Sequence, residues 1–176
     1  ELTGPGISDS FTGCAGQRCM AASVCLAVGD VNGHIEKIVE RAKSLEFGNT
    51  MGAIITRAQA EFLREAIGRA EKAGAKILLD GRKQTAPAGM EDGNWLGATI
   101  LDYVTPGSEA AVNELFGPIL SIIHCKDLTH AMQIENSVEY GNACSVFTSS
   151  GPLAERVARE ATAGMVGVNI GVPVPR

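Results

Sequence analysis

Cys19 is the residue of this sequence best suited to covalent chemistry. It follows Gly16-Gln17-Arg18 and precedes an apolar run, residues 23–28, that predicts a β-strand. Because glycine permits a tight turn, we expect Cys19 to lie on a bend that presents its thiol to a cleft. The neighbouring Arg18 carries a permanent positive charge, which favours the thiolate. Cys19 is therefore a candidate nucleophile, and the alternative is a buried structural cysteine.

The residues around Cys19 resemble the active-site cysteine signature of the aldehyde dehydrogenase superfamily. Arg18 before the cysteine and Met20-Ala21 after it resemble most the CoA-acylating methylmalonate-semialdehyde branch of that family. Further blocks resemble the family in the same order along the chain: Asn113–Pro118, Tyr140–Asn142, Val166–Asn169 and Val172–Pro175. Asn142-Ala143-Cys144 departs from the smaller residues usual in its block.

The resemblance implies an NAD-dependent oxidoreductase that uses Cys19 as its nucleophile. Cys19 would attack an aldehyde carbonyl to form a thiohemiacetal, a hydride would pass to the nicotinamide, and a thioester would remain on the enzyme. Coenzyme A would then take the acyl group. The resemblance also places Glu114 on the hydroxyls of the nicotinamide ribose, with Phe116 beside the nicotinamide. The backbone N–H of Cys19 is a candidate donor to the developing oxyanion.

Two further residues are candidates for substrate binding. The guanidinium of Arg18 has the geometry to hold a substrate carboxylate with two hydrogen bonds, and would then select a semialdehyde bearing an acid group. The alternative for Arg18 is a structural salt bridge. Asn169 is a candidate for the pocket wall. Core packing would also account for Phe116, and a solvated surface position would account for Glu114.

Three alternatives to this function stay open at the level of sequence. An aldehyde dehydrogenase that uses water would release a free acid instead of an acyl-CoA. A structural or interaction protein of the same fold would have no catalysis at all. A cysteine hydrolase would need His34, His124 or His130 within hydrogen-bond distance of Cys19.

Composition excludes several other classes of protein. The 176 residues are 45% hydrophobic and carry a net charge of -5 with no basic stripe, so we expect neither nucleic acid nor a membrane as a partner. The five cysteines match neither a disulfide framework nor a zinc site, and we expect no metal. Reduced thiols indicate the cytoplasm, or the mitochondrial matrix in a eukaryote.

The length suits one catalytic domain over residues 1–176. The resemblance implies that a nucleotide-binding domain precedes it, carrying the general base, and that a closing segment follows it. It also implies a homo-oligomer, either a dimer or a tetramer. We expect an exposed apolar surface near Phe11, Cys19 and Phe116, where the preceding domain would pack.

Predicted strands and helices alternate along the chain, which indicates an α/β three-layer sandwich with a mostly parallel sheet. The predicted strands are residues 23–28, 76–79, 98–101, 119–125, 143–148 and 166–170. The predicted helices begin near residues 8, 32, 56, 128 and 152, and the last ends near Gly164. Residues 1–6 and 105–113 are predicted to be irregular.

Overall fold

The computed structural model describes residues 2–172, so the end of the last family-like block, residues 173–175, lies outside the described residues. The helices are α1 Thr3–Thr12, α2 Asn32–Lys43, α3 Arg57–Lys72, α4 Glu109–Val112, α5 Leu128–Glu135 and α6 Gly151–Glu160. The strands are β1 Val24–Val28, β2 Lys76–Leu79, β3 Thr99–Asp102, β4 Ile119–Cys125, β5 Cys144–Val146 and β6 Val166–Val168.

The main sheet has the strand order β1-β4-β3-β2. Strands β1 and β3 pair with β4 in parallel, while β2 is an antiparallel edge strand. All of β3 and nearly all of β4 are buried. Because successive side chains point to opposite faces of a sheet, a fully buried strand shows that both faces are covered. The prediction of a sandwich with a mostly parallel sheet is confirmed. Strands β5 and β6 form a separate parallel pair.

Helix α3 forms where local signals predict it. The hydroxyl of Thr56 accepts a hydrogen bond from the Gln59 N–H and caps the first turn. The buried stripe of α3 contains Ala60, Leu63, Ala66, Ile67 and Ala70. After the helix, Gly74 adopts a φ of +103°, a conformation that glycine favours. This helix lies directly beneath the candidate site.

Helix α1 begins earlier than the sequence predicts, because residues 3–6 are helical and not irregular. Pro5 lies in the first turn, where its missing N–H is tolerated. Gly4 packs so closely on α2 that an added Cβ would lie 3.1 Å from the Lys37 Cβ. The Ser8 hydroxyl also donates to the Ile38 carbonyl at 3.0 Å. Packing between α1 and α2 thus outweighs the low helix propensity of glycine.

Other elements also differ from the prediction, and strands β5 and β6 are shorter than the predicted residues 143–148 and 166–170. The short helix α4 lies within residues 105–113, which were predicted to be irregular. Helix α6 ends at Glu160 instead of near Gly164. The Asn136 side chain donates to the Glu160 carbonyl at 2.9 Å and accepts from the Thr162 N–H at 2.9 Å. This amide, which follows α5, satisfies both backbone groups and ends α6 four residues early.

Candidate active site

Cys19 lies on an exposed bend between α1 and β1, as the sequence predicts. After α1, the chain makes a tight left-handed turn in which Cys14 and Ala15 have φ values of 55° and 52° and Gly16 has a φ of +68°. Within residues 2–172, the backbone N–H of Cys19 has no acceptor in the protein. Cys19 is thus exposed, and its N–H is left without a partner by the described chain.

The turn before Cys19, residues 14–16, packs through Gly16 against the loop that carries Glu114 and Phe116. The Gly16 Cα faces the Gly117 carbonyl so closely that an added Cβ would overlap that group and lie 2.8 Å from the Pro118 nitrogen. A glycine is therefore required here both by φ and by contact. Two blocks about a hundred residues apart in sequence meet at this point.

Glu114 and Phe116 are both presented outward on that loop. Glu114 is exposed, and Phe116 is 39% exposed with a φ of +58°. The Gln59 side chain donates to the carbonyls of Leu115 at 2.7 Å and Phe116 at 3.3 Å. Leu115 is buried and anchors the loop. An exposed carboxylate and an exposed ring beside an exposed thiol can bind a polar ligand with a planar group.

Gln17, two residues before Cys19, holds the turn that leads to Cys19 against residues 53–55. Its amide donates to the Ala53 carbonyl at 3.2 Å and accepts from the Ile55 N–H at 2.9 Å. It also donates to the Cys14 carbonyl at 3.3 Å. Gln17 therefore fixes the turn both internally and against the start of α3.

Arg18 makes its hydrogen bonds with the end of α1. One amino nitrogen donates to the carbonyls of Asp9 at 3.3 Å and Ser10 at 3.2 Å, in the last turn of the helix. The Nε of Arg18 is buried and has no hydrogen-bond partner among residues 2–172. Arg18 thus has a structural contact, although not the salt bridge considered from sequence. Its role in substrate binding stays a prediction.

Asn169 ends β6 with a φ of +54°. Its amide donates to the Thr148 carbonyl at 2.9 Å and accepts from the Thr148 N–H at 2.9 Å. These two bonds fasten the end of β6 to the chain after β5. Because each end of the amide already has a backbone partner, the place of Asn169 in the pocket wall stays a prediction.

Phe11 does not belong to the exposed surface expected around the site. Its ring is 0% exposed and lies in the core, whereas Cys19 and Phe116 are accessible. Helix α1 directs this side chain inward together with the buried Ser8 and Thr12. The exposed apolar surface near Cys19 instead includes Ile55, which is 80% exposed.

The remaining thiols differ from Cys19 in their surroundings. Burial raises the pKa of the Cys25 thiol to about 11, with further contributions from Cys125 and Asp102. Burial, followed by the nearby Glu135, raises the pKa of the Cys144 thiol to about 11. These thiols remain protonated and unreactive near neutral pH. Cys14 and Cys19 are the cysteines classed as exposed in the described chain.

The histidines give no support to a cysteine hydrolase. The Nε2 of His124 lies 2.7 Å from the Asp102 carboxylate, and its ring stacks on Tyr103 with centroids 4.4 Å apart. Within the part of the chain that the structure describes, no histidine forms a hydrogen bond with Cys19. The arrangement lacks the neighbouring base that such a nucleophile requires.

Three residues of the site were missed from sequence. Gln59 donates to a loop 56 residues away, Leu63 packs against Gly117, and Asn142 donates its amide to the Cys19 carbonyl at 3.1 Å. Helical periodicity marks Leu63 as a core residue but gives no sign of what it contacts. No local pattern marks Gln59, because its partners are distant in sequence.

No helix within residues 2–172 has the length and apolar character needed to cross a membrane. In the same residues, no cluster of three histidine, cysteine or acidic side chains is arranged to hold a metal ion.

Comparison with known proteins gives consistent matches. The sequence model of the aldehyde dehydrogenase family matches residues 1–175. A protein of Drosophila pseudoobscura pseudoobscura, assigned as a mitochondrial acylating methylmalonate-semialdehyde/malonate-semialdehyde dehydrogenase, is 43% identical over 164 residues, covering 90% of this chain and 31% of that protein.

Solved structures of similar proteins superpose on nearly the whole chain. The crystal structure of methylmalonate-semialdehyde dehydrogenase from Oceanimonas doudoroffii has a TM-score of 0.93 at 35% identity, covering 99% of this chain and 37% of that one. A protein of Sinorhizobium meliloti 1021 assigned to the same enzyme class, solved with NAD, has a TM-score of 0.94 at 34% identity with the same coverage. This chain spans about a third of the length of these relatives.

Proposed function

We propose, since the chain belongs to the aldehyde dehydrogenase family, that it is the cysteine-bearing part of an NAD-dependent, CoA-acylating semialdehyde dehydrogenase. One observation carries this proposal: the exposed Cys19 turn packs through Gly16 directly on the loop that presents Glu114 and Phe116. The similarity to methylmalonate-semialdehyde dehydrogenases supports the choice of substrate class.

The reaction begins at the Cys19 thiolate, which attacks the aldehyde carbon while the carbonyl electron pair moves to oxygen. The Cys19 backbone N–H, which has no backbone acceptor in the described chain, would donate to that oxygen. When the oxygen electrons reform the carbonyl, the carbon–hydrogen bond breaks and a thioester is left on Cys19. The thiolate of coenzyme A then attacks this thioester, and Cys19 leaves as the thiolate.

The residues present fit a nicotinamide nucleotide. The exposed Glu114 carboxylate has free acceptor oxygens for the two ribose hydroxyls, and the outward ring of Phe116 offers a flat apolar surface. NAD, when bound, supplies the hydride acceptor. Its phosphate and adenine contacts, and the general base, belong in this proposal to a nucleotide-binding domain that precedes the present catalytic domain, with a closing segment after it.

Arg18 and Asn169 are the proposed substrate residues. The Nη1 of Arg18 makes no hydrogen bond in the described chain, so in this proposal it donates to the acid group of a semialdehyde. Asn169 would line the same pocket after β6. We further propose a homo-oligomer in a reducing compartment, which is consistent with five unpaired cysteines and with the mitochondrial assignment of the eukaryotic relative.

The test is NADH formation by the longer enzyme that contains this chain. With malonate semialdehyde, NAD and coenzyme A, we expect NADH and an acyl-CoA product in equal amounts, and turnover that depends on coenzyme A. NADH formed equally fast without coenzyme A, with a free acid as the product, would identify a non-acylating aldehyde dehydrogenase. The complete absence of turnover, with Cys19 no more reactive than Cys25, would favour a non-catalytic protein.

A further inference from the structure

We propose that Gln17 and Gln59 are positioning residues that together fix the spacing between the Cys19 thiol and the loop carrying Glu114 and Phe116. Each glutamine ties one of these two parts to the same short piece of backbone, residues 53–59. The proposal rests on the proposed function, since the spacing matters only if the thiol-bound substrate must meet a nicotinamide.

Gln17 holds the segment that bears the Cys19 thiol against residues 53–55. Its amide donates to the Ala53 carbonyl at 3.2 Å and accepts from the Ile55 N–H at 2.9 Å, so both ends of the amide are bonded to the backbone of residues 53–55. A pair of opposed hydrogen bonds fixes orientation as well as distance. Because Cys19 follows Gln17 by two residues, the direction of the thiol depends on this pair.

Residues 53–55 are themselves held firmly. Ile54 is 2% exposed, and its N–H donates to the Asn94 carbonyl at 2.9 Å. Asn94 also donates its amide to the Ile55 carbonyl at 3.4 Å. The segment then enters α3 at once through the Thr56 cap. Residues 53–59 therefore behave as one rigid support.

Gln59 holds the loop that carries Glu114 and Phe116, the proposed nucleotide contacts, against the start of α3. Its backbone N–H is used by the Thr56 cap, which orients the first turn of α3. Its side chain donates to the carbonyls of Leu115 at 2.7 Å and Phe116 at 3.3 Å. These carbonyls directly precede Gly117, so Gln59 sets the direction in which Phe116, with its φ of +58°, projects.

The direct contact between Gly16 and Gly117 is not sufficient to fix the relative orientation of the two loops. Because neither glycine has a side chain, this contact sets a distance, and the orientation of each loop depends on the hydrogen bonds and buried side chains around it. The two glutamines restrain the loops on either side of the contact. A reacting carbon and its hydride acceptor need a defined approach, and a misplacement of about 1 Å can cost about 100-fold in rate.

The variants Gln17→Ala and Gln59→Ala, made in the longer enzyme, test this division of roles. For Gln17→Ala we expect kcat to fall by about 10- to 100-fold, with the KM for NAD within about twofold of wild type. For Gln59→Ala we expect the KM for NAD to rise by about tenfold, with the alkylation rate of Cys19 unchanged. Gln17→Glu retains an acceptor for the Ile55 N–H, so it should fall between wild type and Gln17→Ala.

Gln84→Ala is the matched control. Gln84 donates its side-chain amide to the Leu45 carbonyl at 3.1 Å, a bond of the same kind away from Cys19. We expect similar stability in all three alanine variants but wild-type kcat and KM in the control. If Gln17→Ala and Gln59→Ala match Gln84→Ala in kcat, KM and Cys19 alkylation, the positioning roles are wrong.

The same variants in the 176-residue chain separate this proposal from the proposed function. Alkylation of Cys19 by iodoacetamide, and amide hydrogen exchange of residues 114–118, report the two loops without any turnover. If the longer enzyme oxidises no semialdehyde while Gln17→Ala still changes Cys19 alkylation by fivefold or more, the function fails and the positioning role of Gln17 stands. Wild-type alkylation and exchange in both glutamine variants would overturn the positioning proposal even in an active enzyme.

Discussion

Replacing Gly16 by alanine should be the most damaging glycine substitution near the site. The φ of +68° costs a residue with a Cβ about 1–2 kcal/mol. The new Cβ would also overlap the Gly117 carbonyl, and relief of such overpacking costs about 1–3 kcal/mol. The two contributions predict a loss of about 2–5 kcal/mol from the free energy of unfolding, a large part of the stability of a small domain.

Two other glycines serve as matched controls for the two contributions. Gly29 has a φ of +76° but nothing within 4 Å of an added Cβ, so Gly29→Ala should cost only the backbone contribution, about 1–2 kcal/mol. Gly33 lies in the first turn of α2 with nothing within 4 Å of its added Cβ, so Gly33→Ala should leave the free energy of unfolding unchanged or raise it by at most about 0.5 kcal/mol.

The assay is urea unfolding of the 176-residue chain, followed by far-ultraviolet circular dichroism, with the dependence on urea compared among variants. Iodoacetamide alkylation of Cys19 in the folded protein gives a second readout, because Gly16→Ala must also displace the turn. If Gly16→Ala is no more destabilising than Gly29→Ala and leaves the alkylation rate of Cys19 unchanged, the inference that Gly16 contacts Gly117 closely is wrong.

Three further predictions concern selectivity, thiol reactivity and packing. Arg18→Ala in the longer enzyme should raise the KM for malonate semialdehyde about 30-fold or more relative to that for propanal, and equal changes would show a purely structural role. Burial raises the pKa values of Cys25 and Cys144 to about 11, so at pH 8 these thiols should alkylate on the order of 100-fold more slowly than an ordinary thiol. Their alkylation rate should rise about tenfold per pH unit toward pH 11. Rapid labelling of either thiol in the folded chain at pH 8 would contradict this prediction. Leu63→Ala should cost about 2–5 kcal/mol in urea unfolding, because Leu63 is fully buried against Gly117; a loss below about 1 kcal/mol would show that this contact is not tight.

The sequence predicts elements well where the determining signals are local. Helix α3 follows from the Thr56 cap, the apolar stripe and Gly74, all within its own span. Strand β4 follows from a mostly apolar run, residues 119–125. By contrast, the start of α1 depends on packing against α2, and the end of α6 depends on an asparagine that follows α5. Tertiary contacts decide these boundaries, and they have no local pattern.

The residues of the candidate site show the same contrast between local sequence signals and distant contacts. Cys19, Glu114 and Phe116 can be selected from sequence because they lie in blocks that resemble a family. Gln59 cannot, because its hydrogen bonds reach residues 56 and 57 positions away. The core position of Phe11 was missed for a similar reason: the face of α1 that packs inward is set by tertiary contacts and not by a local pattern.

Trapping of an acyl group on Cys19 tests the central claim most directly. The longer enzyme is given malonate semialdehyde and NAD without coenzyme A, quenched in acid and digested, and the modified cysteine is located by fragment-ion mass spectrometry. We predict an acyl group on Cys19 in an amount that matches the NADH formed, and its transfer to coenzyme A when that thiol is added before the quench. NADH formation with an unmodified Cys19, or undiminished turnover in Cys19→Ala, would contradict the assignment of Cys19 as the nucleophile.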